Sequence, residues 1–316
     1  MMLVFVLCFI FILKAAAAKP ADPHGADAAY NDVEFDAADT FDEDPLFEGK
    51  SWLNSDNTRW KNLKAYKAQY ATAPLFPHIA IDNFFTEGAA RKLLADFPKF
   101  EDGNYLNEYG KPGRKSVNTD IRRISPHYAK LWKFLSGTDF LSFVSGVTNI
   151  PDLLFDPSMF GGGTHENLNG QRLNTHIDFN YNREYRWHRR VNVLFYLNDN
   201  WECEWGGCIG FQSNPWCYTD ESCNTVKQYD CKFNRAVIFG TSEVSWHGFD
   251  TINAPATHNQ TRKLISTYLY TRNRPANEIA GAHGTHYIPT NKPDIEAVTF
   301  IKGYMAVRAY NKTIKY

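Results

Sequence analysis

The sequence predicts an α+β chain with a mainly β core, an antiparallel barrel or two-sheet jelly roll with helices packed at its flank. Three observations carry this. From residue 152 onward, short runs rich in β-branched and aromatic residues recur between Gly, Asn and Pro turn signals. The stretch ahead of them, 51–151, carries helix caps and helical apolar spacing. The 316-residue chain is 43% hydrophobic and 15% aromatic, and its aromatics concentrate after residue 50, which suits a sizeable β-rich core.

Taken in order, the chain opens with "MMLVFVLCFIFILKAAAAKP". Its apolar run, Leu3 to Leu13, is shorter than the ~20 residues that span a bilayer. Lys14 and the small residues Ala15–Ala18 follow, so 1–18 reads as a signal peptide cut near Ala18 or, since a basic n-region is missing, as an uncleaved anchor. Either places the body in the secretory pathway, in the endoplasmic reticulum lumen or outside. Residues 19–50 ("DVEFDAADTFDEDP") are acidic and poor in large aliphatics, the composition of a disordered linker.

Residues 51–151 form a helical support region. "PHIAIDNFFTEGAARKLLADFPKF" predicts a short strand and then a helix capped by Thr86, with Ala89, Leu93 and Leu94 on its apolar stripe. "SPHYAKLWKFLSG" offers Ser125 as N-cap and Pro126 at the first helical position, and a third helix starts at Thr138.

The core, 152–275, reads as successive strands in "FGGGTHENLNGQRLNTHIDFN", "RRVNVLFYLN", "WGGCIGFQS", "FNRAVIFGT", "VSWHGF" and "RKLISTYLYT". "NREYRWHRR" reads as a polar loop. The C-terminal extension, 276–316, gives no periodic signal. A net charge of −1 supplies no electrostatic argument for nucleic acid or an anionic membrane. Cys203, Cys208, Cys217, Cys223 and Cys231 crowd one window without the C-x-x-C pairing of a zinc ribbon, so they are disulfide candidates with one thiol left over. Asn259 and Asn311 head N-x-T triplets and are glycosylation candidates.

"RLNTHIDFN" carries the chemistry. Side chains at i and i+2 of a strand share a face, so His176 and Asp178 present an imidazole and a carboxylate to one point, a clamp for a metal if a third ligand arrives. Two histidines and one carboxylate form a facial triad with open positions for oxygen chemistry. His188, His247, His258, His283 and His286 are the candidates that follow. His247 is favoured, because it comes directly after the apolar strand "AVIF" and before a glycine that allows close backbone approach. If the co-substrate is 2-oxoglutarate, its distal carboxylate needs a cation, and the planar fork of arginine suits a carboxylate better than lysine does. Arg262 lies fifteen residues past His247, and one hairpin turn would return its strand beside that histidine; Lys263 is the rival cation.

Together, "FGGGTHENLNGQRLNTHIDFN", "HRRVNVLFYLNDNWECEWGG", "FNRAVIFGTSEVSWHGF" and "TRKLISTYLYT" resemble the Fe(II)/2-oxoglutarate-dependent dioxygenases of the prolyl 4-hydroxylase type over roughly 76–275. The resemblance implies a double-stranded β-helix, with His176, Asp178 and His247 as iron ligands and Arg262 on the distal carboxylate of 2-oxoglutarate. Tyr196 would bond that same carboxylate, and Leu194 and Thr267 would line the pocket. It implies Fe(II), 2-oxoglutarate and O2 as co-substrate, with ascorbate as a candidate reductant. The activity implied is hydroxylation of a C–H bond, of prolyl residues in a protein, with release of succinate and CO2. Retention of Asp178 favours hydroxylation over halogenation, which gives that carboxylate up. Arg189 and Arg190, placed near the barrel mouth, are candidates to touch a peptide substrate. A hydroxylase of a small molecule or another side chain is the alternative within the class. A non-catalytic jelly-roll binding module with a structural metal is the alternative outside it.

Overall fold

In a computed structural model of the chain, the described residues are 52–101, 115–216, 224, 226–258 and 260–288. They fall within one compact unit, Asp44–Tyr316. The leader and linker expectations over 1–50, Cys217, Cys223 and both glycosylation candidates lie outside the described residues.

The helical flank forms from local signals. Helix α1 (Ser55–Thr58) and helix α2 (Trp60–Thr72) come first. Sequence patterning signals no helix there, because among the described side chains of α2 only Leu63, Tyr66 and Tyr70 pack on the hydrophobic core. Strand β1 (His78–Ile81) follows, then α3 (Glu87–Ala95), whose N-cap Thr86 accepts from the Ala89 amide at 3.4 Å. After β2 (Ser116–Asn118), α4 (Pro126–Ser136) starts with the Ser125 hydroxyl accepting from the Tyr128 amide at 3.3 Å and a proline in the first turn. These bonds satisfy N–H groups that a helix start leaves open. Helix α5 (Thr138–Thr148) stops at Asn149, whose φ of 58° is the left-handed conformation asparagine tolerates.

Eleven further strands complete the described residues: β3 (Leu154–Phe155), β4 (Gly163–Asn167), β5 (Leu173–Ile177), β6 (Tyr181–Asn182), β7 (Trp187–Tyr196), β8 (Ile209–Gln212), β9 (Val226–Tyr229), β10 (Arg235–Gly240), β11 (Trp246–Phe249), β12 (Arg262–Thr271) and β13 (His286–Tyr287). They close into two antiparallel sheets. The major sheet runs β1-β10-β7-β12-β4-β2, with β3 added to β12 and β6 to β7; the minor sheet runs β13-β5-β11-β8-β9. This is a double-stranded β-helix with helices flanking it.

Two expected boundaries do not match the pairing. β1 and β2, inside the 51–151 helical region, hydrogen-bond into the major sheet, and β13, beyond residue 275, hydrogen-bonds into the minor one. "NREYRWHRR" is not all loop, since β7 already begins at Trp187.

Alternation along the long strands divides the interior. Val191, Val193 and Phe195 of β7, Ala236 and Ile238 of β10, and Ile265 and Leu269 of β12 pack with the helices, among them Leu93, Leu131, Leu135, Phe140 and Val144. Phe195 sits amid Phe84, Phe85 and Phe140, with ring centroids 5.1, 4.9 and 6.2 Å away. Phe195→Ala would cost about 3–5 kcal/mol through lost burial and an unfilled cavity. Residues of opposite parity face the minor sheet. There Tyr196, Val237, Phe239 and Leu264 pack with Ile209, Phe211 and Trp201 to fill one end of the sandwich. The other end stays open.

Candidate active site

The opening is a cavity of about 1200 Å³ lined from both sheets. On the minor-sheet side, His176 of β5 and His247 of β11 are direct cross-strand partners, with ring centroids 4.3 Å apart. Gly248 makes that approach feasible. A Cβ there would lie 2.6 Å from the Leu173 carbonyl oxygen, so any other residue would push β11 away from β5. Asp178 follows the end of β5 and turns its carboxylate between the rings. Oδ1 is 3.6 Å from His176 Nε2, and Oδ2 is 3.4 Å from His247 Nε2.

Both imidazoles are oriented by carbonyl groups. His176 Nδ1 lies 2.9 Å from the Asn174 oxygen, and His247 Nδ1 lies 2.8 Å from the Ser245 oxygen. A carbonyl only accepts, so each Nδ1 carries a hydrogen and each Nε2 is the nitrogen turned toward Asp178. Donor atoms of the three residues all lie within 4.8 Å of one another. Burial, with the neighbouring His176 ring, pulls the His247 pKa down to about 4, so this ring is neutral at physiological pH. Burial alone would push the Asp178 carboxyl up. The Arg189 guanidinium outweighs it and holds that carboxyl well below the usual carboxylate range. Two imidazole nitrogens and one carboxylate, buried and converging, fit an iron(II) ion with open coordination positions.

Asp178 is itself braced. Its Oδ2 accepts from Asn192 Nδ2 at 2.7 Å and pairs with Arg189 Nη2 at 3.2 Å, while Arg189 Nε donates to Asn192 Oδ1 at 2.9 Å. The Arg189 guanidinium lies 3.5 Å from the Tyr268 ring centroid and 4.4 Å from that of Phe179. The expectation of a peptide-touching pair at the mouth is therefore corrected. Arg189 is 1% exposed and committed to Asp178, and Arg190 points out of the cavity to Thr271 and Glu278. A bulge explains the exchange. Tyr270 pairs with Arg189 but Leu269 with Val191, so the extra residue in β7 turns Arg189 inward and Arg190 away.

Across the cavity, β12 supplies Arg262, 2% exposed. Its strand lies in the major sheet between β4 and β7, so the expected hairpin return beside His247 is replaced by a crossing to the facing sheet. Nε donates to the Gly207 carbonyl at 2.6 Å, Nη1 to Asn167 Oδ1 at 3.4 Å and Nη2 to the Tyr196 hydroxyl at 3.2 Å. The Phe249 ring stacks 4.0 Å from the guanidinium carbon. Among the described residues no carboxylate pairs with it. Burial raises the Tyr196 pKa, which keeps the phenol neutral beside the cation. Lys263, the rival, faces the other way and pairs with Glu166 at 2.8 Å.

Leu194 lines the cavity. Thr267 does not: Ser266 and Tyr268 line it, and Thr267, of opposite parity, pairs with Val193 on the helix side. His188 is in β7 and packs on Tyr181 rather than at the triad. His283 bonds Glu243 Oε1 at 2.8 Å. The side chain of His258 lies outside the described residues.

Sequence reading misses two further wall residues. His165 Nε2 lies 3.1 Å from the Ser266 hydroxyl, and burial together with the Lys115 and Arg262 charges keeps the ring neutral. Tyr287 of β13 sets its ring 5.0 Å from that of His176. The alternation of β4 could have pointed to His165; a two-residue strand gives no such signal for Tyr287. Cys203 and Cys208 form a close pair with their sulfurs in contact, while Cys231 is a buried thiol.

Residues 163–270 match the family model described as the 2OG-Fe(II) oxygenase superfamily. Among solved structures it is similar to a prolyl hydroxylase from Trichoplax adhaerens in complex with a hypoxia inducible factor oxygen degradation domain peptide. The TM-score is 0.45 at 19% identity, over 68% of this chain and 95% of that one. It is similar also to a prolyl-4-hydroxylase from Pseudomonas putida, with TM-score 0.43 and 14% identity over 66% of this chain and 99% of that one. A third similar structure is the non-heme alpha ketoglutarate dependent epimerase SnoN from nogalamycin biosynthesis, with TM-score 0.44 and 13% identity over 73% and 85%. No curated protein matches the chain.

Proposed function

We propose that this oxygenase hydroxylates a C–H bond of prolyl residues in a protein or peptide. The observation that carries the 2-oxoglutarate part is the buried Arg262 guanidinium, which faces the His176–Asp178–His247 cluster across the cavity with no carboxylate partner among the described residues. A buried cation without an anion is costly. A dicarboxylic acid reaching from the cluster to Arg262 supplies that anion. A structural metal in a binding module would need no such clamp.

His176, Asp178 and His247 would hold the iron. Bound there, iron(II) with 2-oxoglutarate and O2 supplies the oxidising power for an unactivated C–H bond, with succinate and CO2 released. The rest falls to the chain. Arg262 and Tyr196 fix the far end of the 2-oxo acid. The Asn174 and Ser245 carbonyls hold the tautomers of the two ligand histidines. Asn192 and Arg189 hold the Asp178 carboxylate in one orientation. Leu194 and Phe239 keep the wall between the two ends apolar. Such fixed geometry and exclusion of water are what a protein contributes to cofactor chemistry.

The prolyl substrate follows from the sequence resemblance, and the size of the cavity supports a macromolecular one. At about 1200 Å³ it exceeds the ~300–1,000 Å³ of ordinary small-molecule pockets. At its lining Phe160 is 62% exposed and packs edge-on to Phe179, an apolar contact open to a chain passing over the mouth. The test is a turnover assay with iron and 2-oxoglutarate, following succinate with and without proline-containing peptides. Peptide-dependent succinate and a peptide heavier by one oxygen on proline are the expected results. Oxygen insertion on another residue, or only on small molecules, would remove the prolyl assignment.

A further inference from the structure

We propose that the Cys203–Cys208 link is a positioning element for the Arg262 clamp, setting the site's affinity for the distal carboxylate of 2-oxoglutarate. The proposal rests on the reading of Arg262 given above. The connection passes through one peptide group. Arg262 Nε donates to the Gly207 carbonyl at 2.6 Å, the shortest of the bonds holding the guanidinium. Gly207 directly precedes Cys208 and sits inside the short loop that the link to Cys203 closes.

That loop has little freedom of its own to place the carbonyl. Cys203–Trp205 is a single turn of 3₁₀ helix, closed by the Gly206 amide donating to the Cys203 carbonyl at 2.9 Å. Gly206 and Gly207 both take positive φ, 77° and 78°, which leaves two permissive residues in succession where the peptide must be aimed. Their neighbours fit closely. A Cβ on Gly207 would lie 3.0 Å from Arg262 Cδ, and one on Gly206 would lie 2.1 Å from the Thr251 carbonyl oxygen. Gly207 donates its own amide to the Asp250 carbonyl at 3.2 Å, and Trp201 Nε1 donates to the Gly206 carbonyl at 3.0 Å. The buried thiol of Cys231 donates to the same Gly207 oxygen at 3.2 Å. Buried Cys208, 2% exposed, therefore anchors one side of a glycine pair whose carbonyl orients the guanidinium. Without the link, those hydrogen bonds alone hold the glycine pair, the carbonyl gains freedom to turn away, and the fork's direction is less fixed.

The test uses the full chain loaded with Mn(II), titrated calorimetrically with 2-oxoglutarate and with pyruvate. Pyruvate is a 2-oxo acid that lacks the second carboxylate. For wild type, 2-oxoglutarate binds tighter than pyruvate. In the Cys203→Ser/Cys208→Ser double variant, 2-oxoglutarate affinity falls about tenfold, the loss of one hydrogen bond's worth of orientation at a charged group. Pyruvate and Mn(II) affinities stay within twofold. Gly207→Ala, which leaves both cysteines in place, shifts the same quantity in the same direction. Unchanged 2-oxoglutarate affinity in the double cysteine variant would overturn the proposal, whatever Gly207→Ala does. So would parallel losses of 2-oxoglutarate, pyruvate and Mn(II), which would make the link a general support of the fold. Absence of any preference for 2-oxoglutarate over pyruvate in wild type would instead remove the underlying reading of Arg262.

Discussion

Replacing Arg262 with methionine removes the cation and its fork while keeping a side chain of similar reach. A guanidinium carries five N–H groups. Three are committed, to Gly207, Asn167 and Tyr196, leaving one on each terminal nitrogen. Two charge-assisted bonds to one carboxylate are worth roughly 1.5–3 kcal/mol each. Arg262→Met should therefore weaken 2-oxoglutarate by about 3–6 kcal/mol, a factor of about 10² to 10⁴. Arg262→Lys keeps the charge but offers no planar pair of donors, and should recover about half of that energy. Calorimetric titration of 2-oxoglutarate into Mn(II)-loaded protein reads the effect, with a separate Mn(II) titration as control. Mn(II) binding should stay unchanged, because Arg262 lies on the facing sheet and touches none of the three ligands. If Arg262→Met bound 2-oxoglutarate within threefold of wild type, the clamp would be elsewhere and the reasoning from the unpaired charge would be wrong.

Other outcomes follow from the same geometry. His176→Ala should lower Mn(II) affinity by about a hundredfold or more, since even outer-shell partners of a ligand are worth ~10–100-fold, whereas His188→Ala should leave it within twofold. Asp178→Asn in the metal-free protein leaves Arg189 buried without its anion and should cost roughly 3 kcal/mol at pH 7 by urea denaturation. Because the folded pKa of Asp178 lies well below its unfolded value of about 3.9, that contribution is present above pH ~4 and fades as pH falls toward the folded pKa. The two proteins should thus converge in stability on acidification; a gap that widens instead would contradict the pairing. Thr267→Val should not change 2-oxoglutarate affinity, since Thr267 faces the helices, while Leu194→Ala should alter it at the cavity wall.

The pairing of His176 with Asp178 in the candidate cluster was legible because the i, i+2 rule of a strand needs no tertiary knowledge, and the two residues obey it across the end of β5. His247 and Arg262 were legible as residue types bordering apolar strands. Which sheet each strand joins was not, since "RKLISTYLYT" reads the same in either sheet. Parity inside long strands failed wherever a bulge intervened. Arg189 and Arg190 are adjacent in sequence, and only the register shift opposite Leu269 and Tyr270 decides which turns inward. Thr267 failed for a simpler reason: alternation from Arg262 already places it on the far face. The tail was opaque because β13 is two residues long, below the length at which any periodicity registers.

That last strand has a consequence for how the molecule is assembled. His286 and Tyr287 pair with Ile177 and His176, and the Ile288 amide donates to the Thr175 carbonyl. Without them β5, which carries His176, would be the outermost strand of its sheet among the described residues, with backbone groups free to recruit another molecule. During synthesis the half-finished sheet must wait, sticky-edged, until residues near 288 emerge, long after both histidines and Arg262 have been made. A version cut just before residue 280 would keep every named ligand yet present a raw strand border, and would be expected to elute as oligomers on size exclusion.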